Sequence, residues 1–262
     1  MRAGRSFQFR RAIVRKPALS IVSGLRAGGG RDPNHARFVE EHTAYVAALE
    51  TAGVTVSVLP ELQEFADSVF VEDAALCTAD AAIVLRPGAI SRRGEAEAIR
   101  PALLATFDHV LSLSGEGFVD GGDILLFDTV ALVGLSERTD EAGFVALETV
   151  LNSIGYAAER VVTPDGVLHF KSDCGLLDNE TVFATPRLAS SGCFARRRVI
   201  EVPAGEEAAA NLVRVNDVVF VPAGFPRSQE RLEQAGYDTR TLNVAEAACV
   251  DGGLSCMSLR IP

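Results

Sequence analysis

Apolar positions along the chain follow two rhythms. In the first, short apolar runs flank a polar turn containing Asp or Asn. The pattern occurs at Ala75–Pro87 (ALCTADAAIVLRP), Asp123–Gly134 (DILLFDTVALVG), Cys174–Thr185 (CGLLDNETVFAT) and Asn211–Gly224 (NLVRVNDVVFVPAG). Two strand-like runs joined by such a turn predict a β-hairpin. A fifth pairing is predicted between a C-terminal strand Cys256–Ile261 and an N-terminal strand Arg11–Val14, closing the chain on itself. The second rhythm has the 3.6-residue period of an amphipathic helix, as in Phe38, His42, Tyr45 and Leu49, or Phe144, Leu147, Leu151 and Ile154. Three helix-like runs end at a glycine and enter a strand: Leu49–Val58, Leu151–Val162 and Leu232–Val244. Gly53, Gly155 and Gly236 stand where a left-handed C-cap is wanted, and Thr139 or Asp140 fits the N-cap of the second helix.

Hairpin, helix and strand recur roughly every 50 residues, which predicts about five modules arranged around a ring. Propellers built of β blades alone lack such helices, and doubly wound sheets lack such hairpins. The predicted fold is therefore α/β and pseudo-symmetric. No Pro/Gly-rich linker divides the chain, so residues 1–262 are expected to form one domain. The loop at Gly28–Gly30 is read as slack in preference to a lid.

Composition narrows the function. The formal charge of −10 opposes phosphate backbones and anionic membranes, and the absence of Trp leaves little aromatic surface for stacking on bases. Neither nucleic acid nor membrane is an expected partner. Five widely spaced cysteines with no Cys-x-x-Cys pair suit neither a disulfide framework nor a zinc knuckle, which points to a reducing cytoplasm. No apolar stretch is long enough to span a bilayer. The arginine-rich start, Arg2 to Lys16, surrounds too short an apolar run for a signal peptide and is read as a frayed end leading into a strand.

Acid and sulfur chemistry concentrates in three apolar settings: FADSVFVEDAAL (Phe65–Leu76), GFVDGGDILL (Gly117–Leu126) and VDGGLSCMSL (Val250–Leu259). A buried carboxylate is costly unless paired, and a cationic ligand can supply the partner. That is the reading for Glu72 and Asp73, whereas Asp123 and Asp251 are read as turn residues bonding their own backbone. Of four histidines, His35 and His42 fall on a helix expected at the surface, and His109 precedes a strand. His169 stands apart at a predicted strand end, after Val167–Leu168 and before Phe170. A cysteine closing Gly-Gly-Leu-Ser-Cys, with a histidine and acids elsewhere, suits an activated thiol. Dinucleotide, Walker, zincin and serine-elbow motifs are missing.

The combination Phe70-Val71-Glu72-Asp73, Arg86-Pro87-Gly88-Ala89 with Ser91-Arg92-Arg93-Gly94-Glu95, Leu168-His169-Phe170-Lys171 and Asp251-Gly252-Gly253-Leu254-Ser255-Cys256-Met257 resembles the dimethylarginine dimethylaminohydrolase family, from about Ala12 to Ile261. The resemblance implies a five-bladed α/β propeller (pentein) of ββαβ modules and hydrolysis of methylated arginine to citrulline through a covalent cysteine adduct. It implies Cys256 as nucleophile, His169 as acid–base, and Asp120, where many relatives have Glu, orienting the histidine. Asp73 with Glu72 would bind the guanidinium. Asp67 and the Leu25 carbonyl would hold the α-amino group, Arg92 and Arg138 the carboxylate, and the Val250 backbone a further contact. No metal or cofactor is implied. The partner is a small guanidine, and a homodimer is left open. Arginine deiminases of the same superfamily carry Asp two residues after the histidine; Lys171 stands there, in keeping with a substituted guanidine. Another amidinohydrolase, acting on hydroxyarginine or arginine, is the alternative, and a non-catalytic binding pentein a more distant one.

Overall fold

The computed structural model describes residues 6–262; the frayed start expected before the N-terminal strand lies partly outside the described residues. In chain order the elements are β1 (Arg11–Arg15), α1 (His35–Thr51), β2 (Thr55–Leu59), β3 (Ala75–Cys77), β4 (Ala82–Val84), α2 (Arg93–Leu104), β5 (Val110–Ser112), β6 (Ile124–Phe127), β7 (Val130–Leu135), α3 (Glu141–Ser153) and β8 (Ala157–Val162). They continue with β9 (Cys174–Leu176), β10 (Thr181–Ala184), α4 (Pro186–Ala189), β11 (Arg198–Glu201), β12 (Val213–Val215), β13 (Val218–Pro222), α5 (Pro226–Gln234), β14 (Asp238–Leu242) and β15 (Leu259–Ile261).

Among the described residues these strands form five three-stranded sheets with one wiring. A hairpin supplies an antiparallel pair, and the chain then crosses through a helix to add a third strand parallel to the second. The hairpins sit where apolar runs flank polar turns. In one, Val215 pairs with Val218 across Asn216 and Asp217, and Asn216 takes the positive φ of 56° that such a two-residue turn requires. The fifth sheet joins the chain's two ends: β15 runs antiparallel to β1, with Ala12 opposite Arg260, and β2 completes it in parallel. The predicted module glycines Gly53, Gly155 and Gly236 have φ of 87°, 83° and 92°, and Asp140 caps α3 by accepting the Gly143 N–H. Apolar clusters fill the spaces between sheet and helix, such as the one built on Ile83, Ile124, Val133, Phe144 and Leu147.

Several expectations are corrected. The last strand begins at Leu259, and Cys256 lies on a 3₁₀ turn before it. Helix α2 has no counterpart among the predicted helix runs, and Pro101 lies inside it. His169 lies between β8 and β9 in a bend, not at a strand end. On α1, His42 belongs to the buried face; its Nε2 has no hydrogen-bond partner among the described residues, and burial followed by the Lys16 charge lowers its pKa to about 4.

A feature repeated in every module positions the chemistry. A 3₁₀ turn precedes the first strand of each hairpin: Val71–Ala74, Gly121–Asp123, Phe170–Ser172, Glu207–Ala210 and Ser255–Met257. The first four touch in succession and the fifth packs against the first. The strands that follow them, β3, β6, β9, β12 and β15, line a shared axial cavity.

Candidate active site

On this ring of turns lies a small cavity. Leu25, Asp67, Asp73, Arg92, Arg138, His169, Val250 and Cys256 all line it. Side chains separated by as many as 231 positions in sequence, Leu25 and Cys256, thus meet in one space.

His169 precedes its module's turn and points its Nε2 at Asp120 Oδ2, 2.9 Å away. Asp120 is fully buried, and its other oxygen accepts the Gly88 N–H at 2.8 Å, so the shorter acid spans the gap to the ring. Burial alone would depress the histidine, but the Asp73 charge, the bond to Asp120, and the Asp123 and Asp120 charges raise it to about 9. His169 is therefore an imidazolium at neutral pH. The ring lies against Gly122, where an added Cβ would meet Cγ at 2.8 Å.

Cys256 is half-buried. Burial, then the Glu72 and Asp73 charges, push its thiol up to about 11, against a backbone hydrogen bond at Gly253 and the Asn211 amide. The resting pair is thus thiol and imidazolium.

Asp73 accepts from Gly122 N–H at 2.8 Å through Oδ1 and from Arg92 through Oδ2. Burial would raise its pKa, but Arg92, then His169, hold it down at about 2. It is a fixed anion in the cavity. Arg92 departs from expectation: its Nε and Nη2 bond Glu95, Nη2 also reaches the Phe70 carbonyl, and Nη1 bonds Asp73. The guanidinium fork expected to grip a substrate carboxylate is occupied by Glu95, and one N–H remains. Arg138 lines the same cavity and makes no ion pair among the described residues.

Glu72 departs further. Its Oε1 is held by Lys171 at 2.7 Å and Arg260 at 2.6 Å, and it lines the axial cavity while being absent from the walls of the smaller one. Two cations hold one of its oxygens, and of the pair expected to bind the guanidinium only Asp73 lines the smaller cavity. Asp67 is buried and accepts the Leu25 N–H at 2.9 Å; burial raises its pKa against the opposing Arg92 charge.

Some residues were misread or missed. Asp123 does not bond its own turn: it takes hydroxyls from Ser136 and Thr139, each at 2.7 Å, and the N–H of Phe170 at 2.8 Å, fixing the residue after His169. Asp251, at φ 55°, reaches across the chain to the Ala27 N–H at 2.5 Å. With the Arg31–Glu246 pair at 2.6 Å, it ties down both flanks of the Gly28–Gly30 loop. Asn211 lies beside Cys256, with Nδ2 at 3.8 Å from Sγ. Asp73, Asp120 and His169 place ligand atoms within 4.8 Å of one another, as a metal site would, but Arg92 on Asp73 sets a positive charge against any cation there.

Comparison with known proteins places the chain among relatives of one kind. The family described as N,N dimethylarginine dimethylhydrolase, eukaryotic, matches residues 27–172. The N(G),N(G)-dimethylarginine dimethylaminohydrolase of Pseudomonas aeruginosa is 38% identical over 253 residues, covering 96% of this chain and 99% of its own. That of Streptomyces coelicolor is 30% identical, covering 96% and 97%. The Pseudomonas aeruginosa enzyme with its cysteine changed to serine, complexed with citrulline, superposes with a TM-score of 0.94 at 37% identity over 97% of this chain and 100% of that one. The N-terminal domain of a cyanobacterial arginine dihydrolase shares the fold, with a TM-score of 0.85 at 18% identity over 95% of this chain and 96% of that domain. Likeness in sequence and backbone over nearly the whole chain places it in the dimethylarginine dimethylaminohydrolase family.

Proposed function

We propose that the chain, acting as one pentein domain in the cytoplasm, hydrolyses asymmetric dimethylarginine and monomethylarginine to citrulline and dimethylamine or methylamine. The observation that carries the reading is the meeting of Cys256, the His169–Asp120 pair and ionised Asp73 in one small cavity. The citrulline complex of the Pseudomonas aeruginosa relative supports the product.

A guanidinium is a poor electrophile because its charge is delocalised. Asp73 would hold it with its central carbon against the sulfur, converting encounter into a fixed approach. Asp67 and the Leu25 carbonyl would take the α-amino group. Arg138, with the one N–H left on Arg92, would take the carboxylate, and the Val250 backbone closes the wall. The arriving cation opposes the Glu72 and Asp73 charges that keep the Cys256 thiol protonated, so the thiol releases its proton to solvent and thiolate forms where it is needed. Sulfur attacks the guanidine carbon to give a tetrahedral adduct. His169, already an imidazolium, protonates the departing methylated amine, leaving an S-alkylthiouronium. The neutral imidazole takes a proton from water, which attacks the same carbon. Collapse expels the cysteine sulfur as the adduct's hydroxyl gives up its proton, the sulfur is reprotonated to the resting thiol, and citrulline leaves. Glu72 balances Lys171 and Arg260 behind the reacting groups. Lys171, two residues after the histidine, is turned to Glu72, so no second acid from that position demands an unsubstituted nitrogen. The scheme uses no metal or cofactor.

The test is citrulline release from dimethylarginine, monomethylarginine, hydroxyarginine and arginine, ranked by kcat/KM. The methylated substrates should lead, Cys256→Ser should abolish turnover, and His169→Ala should leave binding with little kcat. A chelator should leave the rate unchanged. Hydroxyarginine or arginine in first place replaces this reading with that of another amidinohydrolase. Silence on all four by folded protein favours the binding role.

A further inference from the structure

Four of the five modules contribute a polar side chain to the reaction just proposed from the turn before their first strand: Asp73, Asp120, His169 and Cys256. The fourth module in chain order has the same turn, Glu207–Ala210, and ends it with Asn211. Its amide does two things at once. Oδ1 accepts the Ser255 N–H at 3.1 Å, and Nδ2 points to Cys256 Sγ at 3.8 Å. The approach is close enough that a Cβ on Gly253 would meet Asn211 Cγ at 2.5 Å, so the glycine makes room for the amide.

We propose that Asn211 is a positioning residue for the nucleophile: it fixes the Ser255–Met257 turn through one end of its amide and donates to the Cys256 sulfur through the other. The proposal rests on the reading of Cys256 as nucleophile. The chemistry follows from the donor count. A thiolate needs hydrogen-bond donors, and most charge around this sulfur is unhelpful: Glu72 and Asp73 on the neighbouring turn are anions. Asp67, Asp251, Arg92, Arg138 and His169 also line the cavity, and Lys171 and Arg260 are engaged by Glu72. The neutral Asn211 donor favours sulfur in its charged form without adding a fixed positive charge that would repel a cationic substrate. A lysine there would do the first and spoil the second.

Two variants test this. Asn211→Ala removes both bonds. Asn211→Asp keeps an acceptor for Ser255 and loses the donor to sulfur. The readout is the pH dependence of iodoacetamide alkylation of Cys256, followed by mass spectrometry without substrate, so it holds whichever guanidine the enzyme prefers. Losing one such donor reduces the thiolate fraction about tenfold, while intrinsic nucleophilicity rises about threefold, leaving alkylation about threefold slower at pH 8. The midpoint should move to higher pH in both variants, with kcat reduced and KM within about twofold of wild type. An unmoved midpoint in either folded variant overturns the proposal; in Asn211→Asp it would reduce Asn211 to a support for the turn. Should Asn211→Ala fail to fold, Asn211→Leu, which removes both bonds, keeps the side chain's bulk and adds no charge, decides in its place. Wild-type Cys256 resisting alkylation at every pH would instead sink the nucleophile reading itself.

Discussion

Replacing Asp120 by Asn tests what the carboxylate behind His169 does. The two groups are 2.9 Å apart, and Asp120 is fully buried. Unit charges about 4 Å apart at an effective dielectric near 20 interact by about 4 kcal/mol, about three decades in a protonation constant. That is a ceiling, because the Asn oxygen still accepts a hydrogen bond and the Asp73 and Asp123 charges remain. Keeping half the effect takes the imidazole from about 9 to roughly 7.5. The sign follows from charge: removing an anion destabilises the imidazolium, so its proton leaves at lower pH. At pH 8 the protonated share then falls from about nine-tenths to about one-quarter, and at pH 6 both proteins stay protonated. The wild-type to Asp120→Asn ratio of kcat should therefore grow about fourfold between pH 6 and pH 8. Disturbed positioning adds only a pH-independent factor. Histidine-labelled NMR, with His169→Ala for assignment, gives the midpoint directly. A constant kcat ratio together with an unmoved midpoint would refute the electrostatic account and leave Asp120 as a mechanical brace.

Two further substitutions test the surroundings. Gly122→Ala places a methyl group 2.8 Å from His169 Cγ and 2.9 Å from Asp73 Oδ1, so the ring must move. The fold should lose about 1–3 kcal/mol in denaturant melts and kcat at least about tenfold, with wild-type kcat counting against the close packing. Asp251→Ala frees the Ala27 N–H from its 2.5 Å partner while leaving Arg31–Glu246 in place. It should raise KM a few-fold with kcat nearly unchanged, because the loop carries binding groups and no reacting ones; a fall in kcat alone would contradict that division.

The ring was legible because its signal is repeated and local. Polar turns, apolar runs and glycine stops recur in each module, and each is set by neighbouring residues. What escaped depends on distance or on ambiguous local chemistry. Asp123 beside two glycines looks like any turn aspartate; its partners Ser136, Thr139 and Phe170 lie 13 to 47 positions away. Asp251 pairs with a residue 224 positions off. The Arg92–Glu95 pair was visible as an i, i+3 spacing, and it should have weakened the expectation of a free fork. Asn211 looked like the polar start of a hairpin. Its one early signal was its place in the repeat, beside the turn that in other modules carries Asp73, His169 and Cys256.

The seam between β1 and β15 has a consequence for how the molecule comes into being. Among the described residues β15 follows every other strand, so the turn that carries Cys256, the proposed nucleophile, is the last of the five to leave the ribosome. Its strand then docks on β1, which emerged before all the rest. Four blades can assemble while translation proceeds, yet none of them holds a sulfur at the reaction centre. On the proposed mechanism, the reaction centre is therefore complete only once β15 has docked on β1, so competence would arrive in one step with the sealing of the circle.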